Sequence, residues 1–128
     1  MAQASQGYHE DGLRPETKDR HRAIVSIMEE LEAIDWYDQR IDAATDAELA
    51  GILAHNRDEE KEHASMLLEW LRRRDAKLDE MLRTYLFSSK PVLETEAAAD
   101  AADGGDPDGG SPDDGSLGIG SLKAGGAR

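Results

Sequence analysis

Apolar residues recur at spacings of three and four through two long stretches of the chain, and again through a third, shorter one. In the first stretch Ala23, Ile27, Glu30, Ile34, Tyr37 and Ile41 follow at alternating intervals of four and three, which puts them in one line on one face of a helix. That helix is predicted from Pro15, a residue suited to a first turn because its missing N–H has no partner there, to about Asp42. Ala43-Ala44-Thr45 makes a short connection, and Thr45-Asp46-Ala47-Glu48 has the spacing of a capping box that opens a second helix, running to about Arg74. The line on this helix is Leu49, Leu53, Asn56, Glu60, His63, Leu67 and Trp70, with its polar members gathered in the middle. A third helix is predicted from Ala76 to Phe87 around Leu78, Met81, Leu82 and Tyr85, and Ser88-Ser89-Lys90-Pro91 should end it. The pattern predicts an all-α fold: an antiparallel two-helix hairpin with a short third helix.

Beyond this the pattern fades. Residues 1–14 read as a mobile arm, residues 15–93 as the helical domain, and residues 94–114, rich in Ala, Asp, Gly, Pro and Ser, as a disordered acidic linker. A short segment with three aliphatic residues, 115–123, follows, and 124–128 form a tail. A folded part this small buries little surface alone, so association is an expected source of stability.

The formal net charge of −13 excludes a nucleic-acid partner, which needs a basic surface, and suits cations. The charge is spread, −6 in residues 91–128 and −7 in residues 1–90. No cysteine is present, so thiolate ligation and disulfides are excluded. No run reaches the roughly 20 apolar residues that a membrane helix takes, and the polar N-terminus does not read as a signal peptide, so a soluble, intracellular protein is expected.

Against this background the polar residues inside the apolar lines stand out. A carboxylate buried without a partner costs several kcal/mol, so Glu30, Glu60 and His63 imply a cation, a proton or an ion pair beside them. Glu60-Lys61-Glu62-His63 is a Glu-x-x-His pair, whose two ligands share a helix face. A di-iron carboxylate site in a four-helix bundle takes a Glu from each of two helices and a Glu-x-x-His from each of the other two. This chain offers one of each, so two copies across a two-fold axis would complete the set. Oxygen and imidazole donors without thiolate favour iron or manganese and leave zinc open. Two copies of Glu30 and Glu60 balance two divalent cations; oxidation to the trivalent state leaves the site two charges short, which suits an iron-oxidising centre. Glu29 and Glu32 flank Glu30, and His55, Glu59 and Glu62 line a neighbouring face of the second helix; on spacing alone they read equally as a route for metal ions or as a solvated acidic face. The residues alone leave other readings open: a di-metal peroxidase or catalase-like bundle, and a non-enzymatic acidic helical adaptor that binds divalent ions.

Longer strings carry a resemblance. His21-Arg22-Ala23-Ile24-Val25, Met28-Glu29-Glu30-Leu31-Glu32-Ala33, Asp35-Trp36-Tyr37, His55-Asn56-Arg57-Asp58-Glu59-Glu60-Lys61-Glu62-His63-Ala64, Leu68-Glu69-Trp70-Leu71-Arg72-Arg73 and Arg83-Thr84-Tyr85-Leu86-Phe87 make the chain similar to the encapsulated ferritins, ferroxidases packaged inside an encapsulin nanocompartment. The resemblance covers residues 16–93 and resumes at 115–123. It implies that chains dimerise into a ferritin-like four-helix bundle, that dimers form a ring decamer, and that two iron ions bind at each dimer interface. It implies Glu30, Glu60 and His63 as ligands and catalytic residues, Glu29, Glu32, His55, Glu59 and Glu62 as further metal-binding positions on the way in, and Trp36 and Tyr37 as aromatic neighbours. Gly115-Ser116-Leu117-Gly118-Ile119-Gly120-Ser121-Leu122-Lys123 resembles the peptide that loads cargo into the encapsulin shell, with Leu117, Ile119 and Leu122 as its apolar contacts and Gly118, Gly120 and Ser121 between them. The implied protein is a cytoplasmic ferroxidase inside such a compartment, feeding Fe(III) to it for storage.

Overall fold

The computed structural model describes residues 7–104, and every regular element among them is an α-helix. The helices are α1 (Pro15–Ala43), α2 (Ala47–Arg73), α3 (Ala76–Tyr85) and α4 (Val92–Gly104). Among the described residues no helix is long and apolar enough to cross a membrane. The chain divides into two compact units, Met1–Glu80 and Met81–Arg128.

In the first unit α1 opens on Pro15, after an extended Arg14, and the Lys18 N–H donates to the Arg14 carbonyl at 3.1 Å. Glu16 in its first turn and Arg40 in its last lie where the helix dipole favours their charges. The cap of α2 falls one residue later than the predicted box: Asp46, not Thr45, accepts the Leu49 N–H, at 2.8 Å. A carboxylate meets the same orphan donor that a threonine hydroxyl would, and adds a favourable charge at the helix N-terminus. Asp75 caps α3 in the same way, accepting the Leu78 N–H at 2.9 Å. Ahead of α1, Gly12 takes φ +71, which glycine adopts without a Cβ penalty, and the Tyr8 ring meets His21 with centroids 4.9 Å apart. The segment predicted to be a mobile arm thus contacts the second turn of α1.

Two cross-helix pairs give the sense of the hairpin. Glu30 meets His63, while Asp38, nearer the end of α1, meets Arg57, nearer the start of α2, so the two helices are antiparallel. The predicted lines face inward: Ala23 is buried, and Ile27, Glu30, Ile34, Tyr37, Ile41, Leu53, Asn56, Glu60, His63, Leu67 and Trp70 are partly buried, whereas Leu49 is exposed. The core is thin. Ala23, Val25 and Leu71 are its buried apolar residues, and no large side chain is fully enclosed among the described residues. Ile24, Met28 and Leu31, again spaced by four and three, leave a second apolar line exposed along the flank of α1.

In the second unit the helical hydrogen bonding of α3 ends with Leu86, whose N–H donates to the Leu82 carbonyl at 2.9 Å. Phe87, predicted as the last helical residue, instead takes φ +63 with its side chain exposed, a left-handed conformation that costs a residue with a Cβ roughly 1–2 kcal/mol and breaks the helix. Pro91 then starts a helix: its carbonyl accepts the Glu94 and Thr95 N–H groups at 3.0 and 3.1 Å. The resulting α4 replaces the disorder predicted from residue 94. Ala97, Ala98, Ala99, Ala101 and Ala102 carry the highest intrinsic helix propensity of any residue. A scarcity of large apolar groups signals the lack of a core-forming face, which is a different property from the lack of a helix. Most of the predicted acidic linker and the segment holding Leu117, Gly118, Ile119, Gly120, Ser121 and Leu122 lie outside the described residues.

Candidate metal centre

Glu30 reaches the site from the middle of α1, and Glu60 and His63 from one face of α2. One ligand atom from each residue lies within 4.8 Å of the other two, the single group of three such donors among the described residues. His63 Nδ1 stands 3.2 Å from Glu60 Oε1 and 3.6 Å from Glu30 Oε1. The two glutamate side chains are about three-quarters buried, at 23% and 24% exposure, and His63 is 45% exposed. The site therefore sits between the helices and opens to one side through the imidazole.

Its electrostatics follow from the crowding. Glu30 is held above the ordinary carboxylate range, first by its hydrogen bond with Glu60, then by burial and by the Glu60 charge, against the opposing pull of His63. Glu60 is held below that range because it accepts the Glu30 hydrogen bond and also contacts His63. His63 is raised, chiefly by its hydrogen bond to Glu60 and further by the surrounding carboxylates. The contacts the three groups make with one another occupy the place that a cation would take. Two carboxylates and an imidazole, converging without thiolate, match hard or borderline divalent ions such as ferrous iron. Three protein donors do not saturate such an ion, and they fall well short of saturating two.

The secondary acidic positions are not gathered into a comparable group. Glu29 and Glu32, three residues apart, lie away from the line of Glu30; Glu32, two positions on from Glu30, projects from the opposite side of α1. His55 Nε2 pairs with Glu59 Oε2 at 3.1 Å, both side chains exposed, and Glu62 is exposed on the same flank of α2. Tyr37 lies in the inward line and Trp36 beside it, with the Arg40 guanidinium 5.5 Å and 5.8 Å from their ring centroids. Arg40 was not singled out by the sequence pattern, although its i, i+3 and i, i+4 relation to the two rings is a readable signal.

Arg72 and Arg73 lie in the last turn of α2, where the helix dipole favours positive charge, and Arg74 follows at its cap; all three have further partners. Arg72 donates to Glu69 and to Asp79 on α3, Arg73 donates to Glu69, and Arg74 stacks 4.0 Å from the Trp70 ring centroid. The two arginines pull Glu69 down to about 2.

Known proteins resemble this chain over its helical part. A family model described as EncFtn-like matches residues 6–89, the stretch containing both helices of the site. The "Encapsulated ferritin-like protein" of Rhodospirillum rubrum is 66% identical over 106 residues, covering 81% of this chain and 76% of that protein. A "Ferritin-like protein" of Thermotoga maritima is 50% identical over 104 residues, covering 77% of this chain and 91% of its own length. The crystal structure of a protein from Nitrosomonas europaea superposes with a TM-score of 0.65 at 60% identity, covering 67% of this chain and 97% of that one. By the family match across both ligand-bearing helices and by relatives this similar over most of its length, the chain belongs to the EncFtn-like family.

Proposed function

We propose that the chain is a ferroxidase whose working site forms when two copies pair, each contributing Glu30, Glu60 and His63. Two ferrous ions are the substrate, and dioxygen accepts one electron from each and, with two protons from solvent, leaves as hydrogen peroxide. The observation that carries the reading is the convergence of the three donors, two carboxylates and an imidazole from two helices, within 4.8 Å of one another. As ferrous ions arrive, Glu30, Glu60 and His63 exchange their contacts with one another for contacts with the metal, and the carboxylates of both copies balance the charge of two divalent ions. Oxidation then leaves trivalent ions undercompensated, which favours their release.

The exposed His55, Glu59, Glu62 and Glu29, with the half-buried Glu32, form an acidic surface on which ferrous ions collect before reaching the site, with Trp36 and Tyr37 as aromatic neighbours. Pairs of chains assemble into a ring decamer, and residues 115–123 dock the assembly in a cytoplasmic encapsulin nanocompartment that stores the ferric product. The printed name of the Rhodospirillum rubrum relative, 66% identical, supports the encapsulated setting.

The test is ferrous oxidation followed optically after mixing anaerobic Fe(II)-loaded protein with dioxygen or with hydrogen peroxide. Wild type should outpace the uncatalysed reaction with dioxygen, and Glu30→Ala, Glu60→Ala and His63→Ala should each fall to the uncatalysed rate. Full activity in the Glu30→Ala variant would refute the site. A response to peroxide alone would make the protein a peroxidase instead.

A further inference from the structure

The alignment of α1 against α2 decides whether Glu30 reaches Glu60 and His63. Glu30 lies 13 residues before the end of α1 at Ala43, and Glu60 lies 13 residues after the start of α2 at Ala47, so both sit about 20 Å from the connection at ~1.5 Å rise per residue. Residues 44–46 tie the helices together only at that far end. The apolar lines select the alignment weakly, because aliphatic packing has no direction and each line offers another apolar residue every turn or two. A slip of about one turn would set Glu30 against other residues of the α2 line and break the triad while keeping most of the apolar contact.

Asp38 and Arg57 are sensitive to such a slip. Arg57 lies one turn before Glu60 on α2, and its Nη1 donates to Asp38 Oδ1 of α1 at 2.9 Å. Its Nε donates to the neighbouring Asp58 at 3.2 Å, so the guanidinium is held from two directions. The Arg57 side chain is 25% exposed, with its stem packed down and its fork fixed. Both residues lie off the inward lines.

We infer that Asp38 and Arg57 are a positioning pair, a register clamp that selects the one alignment of α1 and α2 in which Glu30, Glu60 and His63 converge on a metal ion. The inference rests on the metal-binding reading of the triad. An ion pair with one exposed partner adds little stability. Its part is the choice among alignments, the use for which polar contacts between packed helices are best attested.

The experiment uses the full chain and Co(II), whose visible d–d bands report coordination geometry. Arg57→Gln and Asp38→Asn should each weaken Co(II) binding about tenfold, the lower range for lost support around a metal ligand, and should change the band intensities. The metal-free helical content by circular dichroism should be unchanged. The charge-swapped double variant, Asp38→Arg with Arg57→Asp, should recover wild-type affinity to within about threefold, since the swap rebuilds the pair in the same alignment. Wild-type affinity and spectrum in both single variants, or a swapped variant as weak as the singles, would overturn the clamp. Equal Co(II) binding by wild type and Glu30→Ala would overturn the triad as the metal site, and the clamp with it. A clamp that fails while Glu30→Ala still loses Co(II) leaves the site reading standing.

Discussion

Two carboxyl groups pressed together with no arginine or lysine between them are tolerable only while one keeps a proton or a cation joins them. Glu30 and Glu60 are in this position, with Glu30 pushed up and Glu60 pulled down by the hydrogen bond they share. Glu30→Gln separates the two demands, because a glutamine amide still donates to Glu60 but brings no charge to a metal. The metal-free stability of this variant should stay within about 0.5 kcal/mol of wild type, as for a substitution that preserves contacts. Its Fe(II) affinity, measured by anaerobic titration, should fall at least about 100-fold, the upper range for groups that merely support a ligand. Unchanged affinity would remove Glu30 from the ligand set. This triad was legible in the sequence because each member interrupts an apolar line, a local conflict that periodicity exposes. Asp38 and Arg57 were not, because each belongs to no line and looks like ordinary charged surface until the two helices are aligned. The same holds for the Arg72–Asp79 contact, which depends on the direction α3 takes after the corner.

The two long helices were legible because their apolar spacing holds over many turns, and their ends fall within about one residue of the predicted ones. The shifted cap at Asp46 shows why boundaries are less secure: Thr45 and Asp46 are both good capping residues, and the choice depends on backbone geometry that spacing does not contain. Helix α4 is not legible from composition, because a low content of large apolar residues marks the lack of a core-forming face while its alanines set local helix propensity. At the other end of α2, Glu69 gives the corner a pH dependence. Its carboxylate is depressed to about 2, first by Arg72 and then by Arg73. A carboxylate lowered in the folded state stabilises above its ordinary value of about 4.3, and that contribution is lost as pH falls toward about 2. The thermal midpoint of wild type should therefore exceed that of Glu69→Gln by a constant margin above about pH 5, and the charge-dependent part of that margin should shrink steadily toward about pH 2 and vanish only below it. Circular dichroism melts of both proteins across that range measure it. A margin that is independent of pH, or that grows on acidification, would show that Glu69 does not hold the corner by its charge.

A hairpin of this kind has the face of a core without the core. Among the described residues of its first unit only Ala23, Val25 and Leu71 are buried, while Ile24, Met28, Leu31, Leu49, Ile52, Met66 and Leu68 remain exposed on α1 and α2. An open groove of about 500 Å³ runs between the helices, bordered by Met66, Leu67 and Trp70. Apolar surface on this scale stabilises a small fold when it is covered, and the proposed paired site gives the same requirement a chemical form, because each triad would be half of its protein donors. Stability and activity should therefore share one concentration dependence. Where native mass spectrometry shows only dimers or larger assemblies, ferrous oxidation per chain should be constant. On dilution into the range where monomers appear, the rate per chain should fall in step with the monomer fraction, since a separated chain retains its helices but presents a half-site. A matched fall in helical content would be expected only if the monomer unfolds, so circular dichroism at the same concentrations separates loss of pairing from loss of fold. Monomers oxidising Fe(II) at the full rate per chain would mean that one copy completes the site alone, and the paired site would have to be abandoned.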